Sequence, residues 1–144
     1  MVVPHGFDIF PEALRAGVET YHALKGILKE GGMSTSLGDE GGFAPTLDGN
    51  RDALELLIRA IKAAGYRPGT DISIALDVAA SEFFEDGNYR FEGKTLDGTG
   101  LMDVYRAWLD EFPIVSIEDG FAEDDWESWS TFTRTDGGRV QLVG

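Results

Sequence analysis

Two short apolar runs separated by helical patterns constrain the fold of this chain most strongly. Residues 71–80 (DISIALDVAA) and 113–119 (PIVSIED) are nearly continuous apolar segments with many β-branched residues, a pattern typical of strands buried on both faces. MVVP at 1–4 and VQLVG at 140–144 extend the series to four predicted strands. Because helical patterns alternate with these runs, without internal repeats, the sequence predicts an α/β fold of parallel strands with crossover helices.

Apolar positions at helical spacing predict two helices before residue 71. The first spans about 11–30, and its predicted buried face consists of Leu14, Val18, Tyr21, Leu24 and Leu28. Pro11 suits its first turn and Gly31-Gly32 its end. The second helix is predicted to be capped by Asn50 and to end near Gly65.

The second half of the chain predicts two more helices and one long loop. Residues 83–100 are rich in Gly and Asp and predict a long loop with a small hairpin at Asp86-Gly87-Asn88. A third helix follows from Leu101. The fourth spans about 123–134, with Asp124 as its cap, and is expected to pack through Trp126, Trp129 and Phe132.

Two architectures fit this alternation: an open doubly wound sheet, or part of a (β/α) barrel. In both, ligands bind at the carboxyl ends of the strands. Asp77 and Glu118 lie at such ends. A carboxylate within an apolar strand costs several kcal/mol unless it is paired, protonated or bound to a cation. One alternative is a buried salt bridge for each residue, and the other is a shared site for Mg²⁺, which binds few carboxylates.

Composition excludes several classes of function. The 144 residues carry a formal net charge of −14, which repels a polyphosphate backbone and argues against a nucleic-acid partner. No apolar run reaches the roughly 20 residues of a membrane span, and no signal peptide is recognisable. The chain has no cysteine, which excludes a disulfide framework. We therefore expect a cytoplasmic protein.

The stretch LGDEGGFAP at 37–45 places two adjacent carboxylates, Asp39 and Glu40, in a segment whose glycines and proline exclude regular structure. It lacks the spacing of the known phosphate-binding glycine loops. One interpretation is that Asp39 bonds the loop amides while Glu40 is solvated. The other is a functional loop.

Three segments together resemble the enolase family: SLGDEGGFAPTL at 36–47, ALDVAASEFFEDGNY at 75–89 and PIVSIEDGFAEDDWESW at 113–129. The resemblance runs the whole length of the chain. It implies a partial (β/α)8 TIM-like barrel of about four strands. It also implies that residues 1–144 are a fragment of the C-terminal catalytic barrel domain, without the N-terminal capping domain and the rest of the barrel.

The resemblance also implies roles for individual residues. Glu40 matches the glutamate that helps donate a proton to the departing hydroxyl of 2-phosphoglycerate. Asp77 and Glu118 match two of three carboxylate ligands of a catalytic Mg²⁺, and Glu118 also lies against the substrate. These three side chains are expected to converge at one mouth of the barrel. Residues 81–91 would belong to a mobile loop over the site.

Further expectations concern the whole protein. The resemblance implies a small phosphorylated substrate, a homodimer or higher oligomer, and occasional occurrence of relatives at the cell surface. The third metal ligand and the lysine base of the family have no counterpart here, so the chain alone is expected to be inactive. The alternatives are a non-catalytic acidic cation-binding or interaction module and an open doubly wound response domain.

Overall fold

The computed structural model describes all 144 residues, which form two compact units: residues 2–73, and residues 74–144 together with Met1. The first, the amino-terminal unit, contains β1 (Val2–Pro4), α1 (Phe10–Glu30) and α2 (Asn50–Ala63). Strand β2 (Ile72–Asp77) crosses the boundary. The second, the carboxy-terminal unit, contains β3 (Phe84–Glu85), β4 (Asn88–Phe91), β5 (Lys94–Leu96), α3 (Gly98–Glu111), β6 (Ile114–Glu118), α4 (Trp126–Asp136) and β7 (Gln141–Val143). All four predicted strands and all four predicted helices are therefore present.

The core of the amino-terminal unit decides which face of α1 is buried. Ala16 of α1, Ile61 of α2 and Ile72 form a fully buried cluster. The prediction that Leu14 and Val18 belong to the buried face is wrong, because they are 56% and 47% exposed. α1 instead buries a face with small residues, on which α2 packs.

The ends of α1 are confirmed, but the predicted cap of α2 is wrong. α1 begins at Phe10 and ends before Gly31. The cap of α2 is Gly49, and Asn50 is the first helical residue. The Gly49 N–H donates to Asp52 Oδ2 at 3.1 Å, so the acidic side chain of the first turn bonds back to the cap.

Strands β2, β6 and β7 form an open parallel sheet in that order. On the side of β2 opposite β6, Met1 N donates to Ala75 O at 2.8 Å and Ala75 N donates to Met1 O at 3.1 Å. The predicted strand over 71–80 ends at Asp77. The chain leaves the sheet there because Ala79 adopts a left-handed conformation, with φ of +47°, and starts a 3₁₀ turn at Ala80–Phe83.

Residues 83–100 contain more regular secondary structure than predicted. The small hairpin is confirmed, with Asp86 and Gly87 both at positive φ, as in a type I′ turn. The prediction of a long loop is wrong, because β3, β4 and β5 form a three-stranded antiparallel sheet. Alternate residues of β4, Tyr89 and Phe91, are buried, so this small sheet is packed onto the unit.

Helices α3 and α4 surround an aromatic core of Tyr105, Phe121 and Phe132. The predicted cap of α4, Asp124, is wrong by one residue: the Asp125 carboxylate accepts the Ser128 N–H at 3.2 Å. Packing through Phe132 is confirmed, whereas Trp126 is 74% exposed. Trp126 is the first residue of α4, and the buried residues of this helix are Ser128, Phe132 and Asp136.

A buried carboxylate joins α3 to α4. Arg106 donates to Asp136 Oδ2 through Nε at 3.1 Å and through Nη2 at 3.0 Å, and Thr135 Oγ1 donates to the same oxygen at 2.6 Å. Burial alone would raise the pKa of the Asp136 carboxyl. The hydrogen bonds from Thr135 and Arg106, with the charge of Arg106, outweigh burial and hold that pKa below its ordinary value.

Replacing Asp136 by Asn should lower the free energy of unfolding by about 2 kcal/mol, because it removes the charged acceptor of the hydrogen bonds from Arg106 and Thr135. Urea denaturation of the chain measures this. Since the pKa of Asp136 is lowered by folding, its contribution is present above the pKa of the unfolded chain and is lost as pH falls through the folded value. The stability of Asp136→Asn should therefore fall less steeply on acidification.

The control is Asp110→Asn, which removes an exposed ion pair between Asp110 and Arg139. Exposed pairs contribute at most about 1 kcal/mol, so this change should have little effect. Equal losses in the two variants would show that burial of Asp136 does not decide its contribution.

Candidate functional site

Asp77 and Glu118 are the last residues of neighbouring parallel strands and are register partners. The Val78 N–H donates to Glu118 O at 2.9 Å, so the ladder continues past the pair. The prediction that these carboxylates lie next to each other at the carboxyl edge of the sheet is therefore consistent with the strand register. Two parallel strands that end together place their side chains at one edge.

The expected burial of Asp77 is wrong. Its side chain is exposed, whereas Glu118 is half-buried, because β2 ends at Asp77 and the backbone turns away at Ala79. No lysine or arginine forms an ion pair with Asp77 or Glu118. The buried salt bridge to Lys or Arg considered for these residues is therefore absent, and the positive charge that interacts with Asp77 is the Met1 ammonium.

Glu40 lies in the amino-terminal unit, at the tip of a tight hairpin. Leu37 and Phe43 form an antiparallel bridge, and the Gly41 N–H donates to Gly38 O at 3.0 Å. Gly41 has a φ of +79°, as expected of a turn followed by a bulge. Asp39 and Glu40 therefore occupy the two central positions of the turn, both exposed to solvent.

Phe43 anchors this hairpin to α1. Its ring stacks on Tyr21 with centroids 4.4 Å apart and planes inclined by 24°. The Gly38 N–H donates to Gly42 O at 2.8 Å, and the Ala44 N–H donates to Ser36 O at 3.1 Å. The loop amides thus bond to backbone carbonyls rather than to Asp39. The glycines and the aromatic anchor give the loop one defined shape, and the convergence of Glu40 with Asp77 and Glu118 stays a prediction.

The carboxylates of Asp77 and Glu118 at the sheet edge are suitable ligands for Mg²⁺. Mg²⁺ binds hard oxygen ligands, commonly one or two carboxylates, and completes its shell with water and substrate oxygens. The structure contains no group of three or more His, Cys, Asp or Glu side chains arranged to hold a metal ion. Asp77 and Glu118 are therefore a partial donor set, which fits the ion without enclosing it.

A groove of about 890 Å³ in the carboxy-terminal unit is a separate feature. It is lined by residues that include Ser81, Asp119, Trp126 and Trp129, and it does not include Asp77 or Glu118. Within residues 81–91, the predicted mobile loop, Tyr89 and Phe91 are buried. Any closing movement of that segment would therefore involve its first residues rather than β4.

Sequence reasoning missed two residues beside the site. The hydroxyls of Tyr89 and Tyr105 bond to the loop that follows Glu118. The alternation of Tyr89 and Phe91 was the only available signal that β4 is buried on one face. Nothing in the spacing predicts that a tyrosine on β4 reaches a loop more than thirty residues later.

These features define a class of protein: parallel α/β proteins that present acidic side chains at the carboxyl edge of the sheet. No helix is both long and apolar enough to cross a membrane. The family model described as "Enolase, C-terminal TIM barrel domain" matches residues 1–144. The chain therefore belongs to the enolase family, and the expected membership of a TIM-type barrel domain is confirmed.

Curated relatives agree with this assignment. The chain is 53% identical over 146 residues to proteins named Enolase from Bifidobacterium longum strain DJO10A, B. longum subsp. infantis and B. longum strain NCC 2705. Each alignment covers 100% of this chain and 34% of the relative. The chain thus spans about a third of the length of these relatives.

Proposed function

We propose that this chain forms part of the active site of a phosphopyruvate hydratase, a carbon–oxygen lyase that converts 2-phospho-D-glycerate to phosphoenolpyruvate and water. The observation that carries the proposal is the register pairing of Asp77 with Glu118 at the carboxyl edge of the sheet, in a chain that belongs to the enolase family. The exposure of Asp77 and the lack of Lys or Arg partners of both residues support a role in binding.

Asp77 and Glu118 would hold Mg²⁺, and Glu118 would also contact the substrate. The bound ion would supply positive charge that neutralises the anion formed when a proton leaves carbon 2 of a carboxylate. This use of a metal ion is established for the enolase superfamily, where a lysine or histidine removes the proton and one or two magnesium ions stabilise the resulting anion. The two carboxylates also orient what they bind, because the ladder fixes their backbones.

Glu40 would act as the acid at the leaving group. When the bond between carbon 3 and oxygen breaks, the oxygen leaves with the electron pair and takes a proton from the Glu40 carboxyl to form water. The electrons of the former bond between carbon 2 and hydrogen become the double bond. The exposed position of Glu40 at a turn tip suits a group that must approach a substrate.

A chimera tests the proposal. Residues 1–144 replace the matching segment of a B. longum enolase, which is 53% identical, and the absorbance of phosphoenolpyruvate follows the reaction with Mg²⁺ present. We expect turnover, since the relative supplies the remaining part of the protein. The 144-residue chain alone should show none, because its two neighbouring carboxylates are only a partial metal site.

A folded chimera without turnover would contradict the proposal, whereas sustained turnover by the chain alone would contradict the assignment of a partial site. The alternative, a non-catalytic cation-binding module, is tested by titrating Mg²⁺ into the chain. Micromolar affinity would favour it, because two carboxylates that do not enclose the ion should bind it only weakly.

We also propose that the whole protein is cytoplasmic, binds a small phosphorylated substrate and forms a homodimer or a higher homo-oligomer. The family membership motivates these statements. Sedimentation of the chimera tests the assembly, and a monomer would argue against it. Microscopy of a fluorescent fusion tests the compartment.

A further inference from the structure

Residues 119–125, here called the β6–α4 loop, lead the chain from Glu118 to α4 and begin with a strained residue. Asp119 has a φ of +48°, a conformation that costs a non-glycine residue free energy and persists only where its surroundings hold it. Its N–H donates to Val143 O and its carbonyl accepts the Ala80 N–H, both at 2.9 Å. The loop is thus fixed at its first residue by two neighbouring segments.

A tyrosine hydroxyl holds the next residue. Tyr105 Oη, from α3, donates to Gly120 O at 2.6 Å, and both residues are buried. A Cβ on Gly120 would lie 3.1 Å from Ile117 Cγ2, so the backbone passes close to β6 at this point. The carbonyl that follows Glu118 by two residues therefore has a single buried partner in a tightly packed place.

A second tyrosine hydroxyl holds the middle and the end of the loop. Tyr89 Oη accepts the Ala122 N–H at 3.1 Å and donates to Asp125 Oδ2 at 2.6 Å. Asp125 Oδ1 accepts the Ser128 N–H and caps α4. One fully buried hydroxyl thus connects the small antiparallel sheet, the β6–α4 loop and the first turn of α4.

Both hydroxyls keep their protons at neutral pH. Burial, together with the hydrogen bond to Asp125, raises the pKa of Tyr89 above its ordinary value. Burial likewise raises the pKa of Tyr105. Each hydroxyl is therefore a permanent donor. A phenylalanine in its place would keep the ring packing but leave a buried backbone group unpaired, which is costly.

We propose that Tyr89 and Tyr105 are positioning residues for Glu118: their hydroxyls fix the path of the chain beyond β6 and so hold the Glu118 carboxylate beside Asp77. The ladder to β2 and β7 holds Glu118 on its own strand, and the tyrosines hold the β6–α4 loop. The inference rests on the proposed function only in taking Glu118 as a site residue.

The experiment uses NMR of the full 144-residue chain, with Tyr89→Phe and Tyr105→Phe as variants. The decisive readout is the side-chain rotamer distribution of Glu118, from three-bond couplings and carboxyl carbon shifts. We expect one dominant rotamer in the wild type and averaging in both variants. Amide exchange at 119–123 should accelerate about tenfold to a hundredfold, as expected when a buried hydrogen bond is lost.

The matched control is Tyr66→Phe, which removes a hydroxyl bonded to Glu19 in the amino-terminal unit and should leave Glu118 unchanged. A Glu118 rotamer that is already averaged in the wild type, or is unchanged in the variants, would overturn the inference. So would faster exchange at Ala122 alone, since that reports only the lost bond. Loss of protection throughout β4, α3 and α4 in both variants would also overturn it, because the hydroxyls would then support the whole unit.

Titration with Mn²⁺ separates this inference from the proposed function. Broadening of the Asp77 and Glu118 carboxyl signals in the wild type supports the metal site. If those signals stay sharp while the Glu118 rotamers change in both variants, the metal assignment fails and the positioning role stands. If broadening occurs and the rotamers do not change, the positioning role fails alone.

Discussion

Changing Asp77 to Asn or Glu118 to Gln in the chimera is expected to lower kcat/KM by about a thousandfold, because each change removes an anionic ligand of the Mg²⁺ that would stabilise negative charge in the transition state. The amides keep the size of the side chains and retain one oxygen. Steady-state kinetics over a range of Mg²⁺ concentrations measures the loss. Higher Mg²⁺ should restore part of the activity of Asp77→Asn, and less of that of Glu118→Gln, since Glu118 is also proposed to contact substrate.

Asp110→Asn is the control for these variants, because this exposed carboxylate pairs with Arg139 and lies on α3, away from the carboxyl edge of the sheet. Its kinetics should match those of the unmodified chimera. Loss of less than about tenfold in both site variants would be too small for ligands of a metal ion that stabilises the transition state, and the assignment of a shared metal site would then be abandoned.

Changing Glu40 to Gln in the chimera is expected to lower kcat by about a hundredfold to ten-thousandfold, the usual contribution of a positioned proton donor. Glutamine keeps the shape of the side chain but does not supply the acidic proton. KM for the substrate should change much less than kcat.

Asp39→Asn provides a matched comparison, since Asp39 precedes Glu40 in the same exposed turn and no loop amide depends on its carboxylate. We expect nearly unchanged kinetics. If the two variants lose the same activity, the loss belongs to the charge or shape of the turn as a whole, and Glu40 is not the proton donor.

The strands were predictable because their signal is local. The apolar runs that become β2 and β6 are recognised from consecutive residues, and the alternation with helices requires parallel pairing. The buried face of α1 was not predictable in this way. Leu14 and Val18 are more apolar than Ala16, yet Ala16 is buried, because close packing of α2 on α1 is decided by shape as well as by hydrophobicity.

The small antiparallel sheet was likewise not predictable from local sequence signals. Only its first turn, Asp86-Gly87, has a recognisable sequence signature, and the second turn, Glu92-Gly93, falls within the predicted long loop. Its strands are two to four residues long, too short for periodicity to be distinctive. They are stable because Tyr89 and Phe91 are buried against distant segments of the unit, including Phe121 and Trp108.

The sequence by itself determined the class of fold and the family and indicated three acidic residues as candidates for the site, because these depend on residue types and on their spacing along the chain. Only the tertiary structure decided that Asp77 is exposed and pairs in register with Glu118, and that two tyrosine hydroxyls hold the loop after Glu118. Such contacts join residues far apart in the chain, and their existence depends on where strands end and how elements pack.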